Sequence, residues 1–328
     1  MSLSTNPQLT NDAISYYVSV VKPLVEIKQA QYEYVKNMVK FRRVQTIEKS
    51  RQLLLKKIQS YFELIGLAPA FQGDSTFKLE LIQYFNVSYS VLKGDFDKIL
   101  NMEQINAQTT DQEEAHELAI DKAIEKQNES FSALKKVEGG FFKKYQIDAA
   151  EENDELTLKI ERANKAIAYY DTISKVFNKA NRQKIYATQD YNNKDLVSLE
   201  QHRSILLAYA QEGMEKLARK QGFEGDDGLL TIAKKAMEFY KKEGEMVIPV
   251  MVEFFMKSDN IDKTKKKFDA IKQEDRKKED IDEFNKEVDL FNKAIKEINS
   301  LNSESDKTHK KIVDEWNNEM RKFFEKHS

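Results

Sequence analysis

Phe71-Gln72-Gly73-Asp74 returns 152 residues later as Phe223-Glu224-Gly225-Asp226, and it does not return alone. Ala13-Ile14-Ser15-Tyr16-Tyr17 is echoed by Ala166-Ile167-Ala168-Tyr169-Tyr170 at a spacing of 153. Ile47-Glu48 with Arg51 and Leu54-Leu55 is echoed at 152 by Leu199-Glu200 with Arg203 and Leu206-Leu207. Ile82 with Gly94 is matched by Ile232 with Gly244 at 150, and Phe141-Phe142-Lys143-Lys144-Tyr145 by Phe323-Phe324-Glu325-Lys326-His327 at 182. Matches that keep one order across a chain are the signature of repeated units, each unable to place its residues independently of the pattern. The spacing predicts a tandem duplication, with one unit over 1–150 and a second over 151–328. The step from 150 to 182 places an insertion around 257–285, in the charged stretch Lys257 to Asp280.

What each unit is made of follows from what the chain lacks. Ten glycines and four prolines in 328 residues leave little to punctuate strands and hairpins. Lys, Glu, Gln, Ala and Leu, which lose little side-chain freedom in a helix, fill the gap. Apolar residues recur at helical spacing, most clearly Ile281, Phe284, Val288, Phe291, Ile295 and Ile298. Ile14, Tyr17, Val21 and Leu24 form a similar series, as do Leu54, Ile58, Phe62 and Ile65. The expected fold is all-α: two tandem, related four-helix bundle units, spectrin-like or coiled-coil-like, in an elongated molecule. In the first unit the pattern predicts helices over Asp12–Arg42, Thr46–Leu64, Ser75–Met102 and Asp111–Tyr145, with a polar break over Asn106–Thr110. The acidic stretch Asp148–Glu155 is read as leading into the next helix. Pro23 and Pro249 fall inside helical patterns, where the missing N–H predicts kinks.

The residues exclude several chemistries. Without cysteine there is no disulfide scaffold, thiol nucleophile or thiolate metal site. His116, His202, His309 and His327 stand too far apart in sequence to write a helical two-histidine metal pair. Glu-x-x-His occurs once, at Glu113 to His116, without the second copy a di-iron carboxylate site needs, and there is no phosphate-binding glycine loop or Gly-x-Ser-x-Gly elbow. A net charge of −2 provides no general attraction to nucleic acid. No catalytic, cofactor-binding or metal-ligating residue is assigned, and the expectation is a non-enzymatic protein without a cofactor.

Several features invite a sharper reading. Asp74, Asp226 and Asp227 suggest a paired calcium loop, but calcium takes six to eight oxygens. A structural role explains the segment better. Gly73 and Gly225 permit a left-handed turn, the following Asp or Ser caps the next helix, and Phe71 and Phe223 plug the bundle end. Tyr16-Tyr17 and Tyr169-Tyr170 are read as core filling rather than a stacking platform. Arg51 and Arg203 read as surface partners of Glu48 and Glu200, three residues earlier. Gly94 and Gly244 mark a bend or a close helix approach, and Trp316 joins Ile312, Met320 and Phe323 in a packing stripe. The bases Lys265-Lys266-Lys267 and Arg276-Lys277-Lys278 are interleaved with acids and read as a solvated helical extension.

The duplicated pattern Ile14-x-Tyr16-Tyr17, Arg51 with Leu54-Leu55, Phe71-x-Gly73-Asp74 and Phe141-Phe142-Lys143-Lys144-Tyr145 resembles a helical family of predicted surface proteins or lipoproteins of Gram-negative bacteria. The insertion before Phe323 departs from that pattern. The resemblance implies export to the periplasm or cell surface and an N-terminal lipid anchor, and supplies no catalytic residues. Met1-Ser2-Leu3 has the look of a vector-derived start, so the anchor and its processing cysteine are expected in the untrimmed gene product. The opening has no basic and apolar leader of its own, which keeps a cytoplasmic placement as the alternative. The expected function is a binding or structural role toward a protein or envelope component, with no nucleic-acid partner. The alternative is a cytoplasmic coiled-coil scaffold or a membrane-surface-binding helical protein acting through the basic segment.

Overall fold

A computed structural model describes residues 7–39, 44–95, 110–148 and 155–327. These are helical, with two isolated bridges and no strand among the described residues. The chain is all-α, and it divides into two compact units, Met1–Asn164 and Lys165–His327.

The first unit contains α1 (Pro7–Val21), α2 (Leu24–Val39), α3 (Val44–Leu67), α4 (Thr76–Ser90) and α5 (Thr110–Tyr145). The helix expected from Asp12 onward is in fact two. Pro23 offers no N–H, and the chain turns at Lys22-Pro23, where the Val25 N–H reaches the Lys22 carbonyl at 3.3 Å. α4 runs directly into a π turn, Val91–Asp95. The expected continuation to Met102, most of the Asn106–Thr110 break and the interior of the acidic stretch fall outside the described residues. The core joins Ala13, Val20 and Ile27 to Leu54, Ile58, Tyr61 and Ile65, then to Phe77, Leu81, Phe85, Leu134 and Phe141. Burial of each large side chain stabilises by about 1.5–3 kcal/mol, which drives the apolar seams together. The Tyr61 hydroxyl keeps its bond by donating to the Val20 carbonyl at 2.9 Å.

The second unit comprises most of α6 (Glu155–Asn193), then α7 (Leu196–Ala218), α8 (Gly228–Lys242), α9 (Ile248–Ala270) and α10 (Lys278–His327). Asp195 caps α7 by accepting from the Ser198 N–H at 3.1 Å. A π turn, Glu243–Val247, again follows the helix after the Phe-x-Gly-Asp loop. Pro249 follows that turn directly, in a helix that continues through it, since the Ile248 N–H still bonds to the Glu243 carbonyl. The charged stretch from Lys257 to Asp280 is a helical hairpin closed by a short turn at Gln273–Asp275. Phe268 stacks on Phe284 at 4.5 Å, Phe254 on Phe291 at 5.7 Å, and the Arg276 guanidinium covers Phe268 at 4.3 Å. Lys257 and Lys263 pair with Glu253 and Asp259 one turn earlier, so the bases are partly neutralised within their own helix.

Candidate functional site

Both Phe-x-Gly-Asp loops form the same closed turn. The Phe71 and Asp74 backbones exchange hydrogen bonds at 3.0 and 2.8 Å, and those of Phe223 and Asp226 at 3.0 and 2.9 Å. Gly73 and Gly225 both adopt φ of 82°, a conformation that strains any side chain. Phe71 then fits among Tyr16, Phe141 and Tyr145, with ring centroids 5.2, 6.1 and 4.9 Å away. Phe223 fits among Tyr169, Phe323 and His327, at 5.4, 5.5 and 5.0 Å.

The aspartates are consumed by the clamp. One oxygen of Asp74 accepts from the Thr76 N–H at 3.0 Å, and the other takes Lys144 at 2.5 Å and the Tyr145 hydroxyl at 3.2 Å. In the second unit Asp226 takes the Gly228 N–H at 3.1 Å, Lys326 at 3.0 Å and His327 Nε2 at 3.1 Å. Lys144, then the Thr76 amide, hold the Asp74 carboxyl well below the usual carboxylate range. For Asp226 burial acts upward most strongly, yet Lys326, the Gly228 amide and His327 together bring the carboxyl below its ordinary value. Asp227 occupies the cap position of α8 without a side-chain cap bond. Among the described residues no group of three acids or histidines is placed to hold a metal ion.

The arginines do more than pair with a neighbouring glutamate on the surface. Arg51 is 3% exposed; its Nη1 donates to the Leu92 carbonyl at 2.6 Å while Nε and Nη2 hold Glu48 at 2.7 and 2.9 Å. Arg203 Nε donates to the Gly244 carbonyl at 2.7 Å, and Nη1 to Glu200 at 2.9 Å. Leu92 and Gly244 are the second residues of the two π turns. A π turn disturbs the regular ladder of backbone bonds, and in each unit a guanidinium from the preceding long helix takes up a carbonyl inside it. Gly244 also admits a close approach, because a Cβ there would meet Leu207 Cγ at 2.6 Å. Gly94 has no such neighbour within 4 Å among the described residues.

A buried polar cluster lies at the second π turn. Glu243, 2% exposed, opens that turn, and Lys184 of α6, 1% exposed, meets its carboxylate at 2.9 Å. The Ser305 hydroxyl donates to the same oxygen at 2.7 Å, and Lys184 also donates to Thr188 at 3.2 Å. Beside this pair, the Asn181 side-chain carbonyl accepts from the Tyr240 hydroxyl at 2.9 Å and from His309 Nε2 at 2.7 Å. Burial and the adjacent Lys184 charge push His309 down to about 4, against the smaller pull of Asp306, so the ring is neutral at pH 7. Burial, then Glu243, raises the Tyr240 phenol. Phe177 and Trp316 stack flat below, at 4.3 Å and 6°.

Sequence reading did not single out Lys184, Glu243, Ser305 or Asn181. Lys184 stands in the series Phe177, Ala180, Lys184, Ala187, and Glu243 in Tyr240, Glu243, Val247; all of these residues are buried. A charge on a core stripe was the available signal. His202 forms a separate, partly exposed pair with Asp190, Nδ1 to carboxylate, at 2.5 Å.

No family model, curated protein or solved structure matches this chain.

Proposed function

We propose that this chain is a non-enzymatic helical protein with a binding or structural role, built as a tandem duplication of a four-helix unit. The observation that carries the reading is the fate of its reactive groups. Lys184 and Glu243 are sealed in the core and spent on each other, on Ser305 and on Thr188. Asp74 and Asp226 are spent on helix-end clamps. Side chains engaged in this way fix helices; they are not aimed at a substrate. The duplication is supported by the matched Phe-x-Gly-Asp turns, by the arginine-to-π-turn bonds, which recur at 152, and by the aromatic plugs; the Gly94–Gly244 match at 150 is not kept, because Gly244 stands where the first π turn has Leu92.

From the family resemblance we further infer an extracytoplasmic protein held to the membrane by an N-terminal lipid, acting on a protein or envelope component. Fractionation of the native host with the full gene product, combined with protease treatment of intact cells, tests this. Envelope recovery with a lipid label or surface cleavage is the expected result. An unprocessed protein in the cytoplasm overturns it.

One observation favours a second reading, a coiled-coil scaffold or anionic-membrane binder. The α9–α10 hairpin is zipped by Phe254–Phe291 and Phe268–Phe284 stacks and carries Lys263 to Lys267 on its outgoing arm. Salt-sensitive binding to anionic vesicles, lost on charge reversal of Lys265 to Lys267, supports that reading, and its absence removes it.

A further inference from the structure

The α9–α10 hairpin leaves its apolar seam half open. Tyr191 of α6 packs on Phe255 at 5.2 Å. Beyond that level, over 256–290, the side-chain hydrogen bonds, ion pairs and ring contacts among the described residues stay within the hairpin. No residue between Met251 and Ala294 is buried. The stripe on α10 shows the change: Ile298 is 1% exposed, whereas Ile281, on the same stripe, is 41% exposed. The stripe is continuous, because Ile281, Phe284, Val288 and Phe291 follow at three- and four-residue steps. The Phe268–Phe284 and Phe254–Phe291 stacks carry it across to the other arm. Two helices cover only one side of each other's apolar stripe, and in bundles a further pair completes the core.

Charge decides what completes it. Over 257–270 the outgoing arm carries five lysines against three aspartates, and over 278–289 the returning arm carries two lysines against six acids. Among the described residues no ion pair joins the two arms; Lys257 and Lys263 turn to acids of their own helix. The basic and acidic flanks therefore face outward. A nucleic acid or an anionic membrane would meet the acidic arm beside the basic one. A second copy carries both signs in the matching order. A two-fold axis sets each basic arm against the partner's acidic arm and brings the two open seams face to face. From Phe254 to Ala270 the arm runs about 25 Å, and two helices each about 10 Å wide present roughly 500 Å² per copy. About 1,000 Å² in a pair is the size of a transient interface, set by concentration.

We propose that the α9–α10 hairpin is a self-association surface, at which two copies of this chain pair their hairpins into a four-helix bundle, basic arm against acidic arm. The proposal rests on the coiled-coil half of the second reading above and is independent of its membrane half.

The test is sedimentation equilibrium of the full chain over a wide concentration range, at low and high salt. A monomer–dimer equilibrium that weakens with salt is expected. Lys265→Glu with Lys266→Glu and Lys267→Glu makes both arms acidic, and Asp282→Lys with Glu283→Lys and Glu287→Lys makes both basic. Each variant alone should self-associate about tenfold more weakly or worse, because like charges then meet along the pair. An equimolar mixture of the two should recover the parent's affinity to within a few-fold, since every acidic arm again meets a basic one. Such recovery also shows that both variants fold, and circular dichroism checks the helicity of each. A parent that stays monomeric throughout, variants that dimerise like the parent, or a mixture of helical variants that fails to recover overturns the proposal. Binding of anionic vesicles by a chain that remains monomeric overturns it and leaves the membrane half of the second reading standing. A dimer that ignores those vesicles upholds the proposal and removes that half.

Discussion

The two units share their fastenings and differ in their filling. Each closes one end with a Phe on a left-handed glycine turn and an Asp clamped by a lysine, and at the far end of the next helix an Arg holds a carbonyl in a π turn. Where the second unit buries Glu243, the position 152 residues earlier is Val91, 3% exposed. Where it has Ser305 and Trp316, the positions 182 residues earlier are Ala123 and Leu134, also buried. His309 matches Gln127, whose amide donates to Ser88 at 2.8 Å, and Ser88 in turn matches Tyr240. The same backbone device thus accepts a dry core or a charged one. The lesson is that the clamps specify the fold, and the charged layer is an addition that must satisfy itself.

The largest expected effect breaks this contrast. Lys184→Met or Glu243→Val alone strands a charge in a core that excludes water, and should cost about 3–5 kcal/mol. Trp316, the only tryptophan, sits in the second unit and reports its unfolding by fluorescence in urea. A cost under one kcal/mol for both variants would mean that the pair is hydrated.

A smaller effect separates the two π-turn glycines. Gly244→Ala must displace Leu207 and should destabilise by about 1–3 kcal/mol. Gly94→Ala meets none of the described residues within 4 Å and should be neutral or raise stability by about 0.5–1 kcal/mol, because it removes backbone freedom from the unfolded chain. Reversal of that order would contradict the close helix approach at Leu207.

The Phe-x-Gly-Asp turns sharpen the comparison in the other direction, since they should respond alike. Gly73→Ala and Gly225→Ala each impose a left-handed backbone on a side chain, at about 1–2 kcal/mol. Hydrogen exchange resolved by segment would read the two losses separately. A clear inequality would show that the loops are not equivalent fastenings.

A further difference is in pH response. His309 has a folded-state value of about 4 against 6.5 ordinarily, so the unfolded chain takes up its proton first. The stabilising contribution is complete above 6.5 and is lost as pH falls toward 4. His309→Gln, which installs the first unit's residue, should flatten the urea midpoint over that window. An unchanged slope would place the linked proton elsewhere.

Helix content and the Leu54, Ile58 and Ile65 seam were legible because apolar spacing and scarce glycine act locally, whereas the series from Ile14 missed the face that is buried, Ala13, Val20 and Ile27, and Ile14 and Ile281 are exposed. The turn at Gly73 and Gly225 was legible too, since few residues other than glycine accept a φ of 82°. Pro23 was harder, because a missing N–H allows a kink or a break and the surrounding packing decides which. Arg51 reads as a surface partner of Glu48 until the fold carries Leu92 beneath it, a contact 41 residues away. Lys184 and Glu243 were missed for a related reason. A charged residue in a sequence is ordinarily solvated, and only its partner 59 residues along the chain makes it a core residue.

In the second unit the buried charges of Lys184 and Glu243 are spent on each other. The most direct measurement is therefore urea unfolding of the double variant Lys184→Met/Glu243→Val, followed at Trp316. If the pair is a closed structural unit, the double variant recovers to within about 1 kcal/mol of the parent, as replacement of buried pairs by apolar residues often does. A double variant as damaged as the two single variants summed would contradict that claim, and would mean that Lys184 and Glu243 each serve something other than their partner.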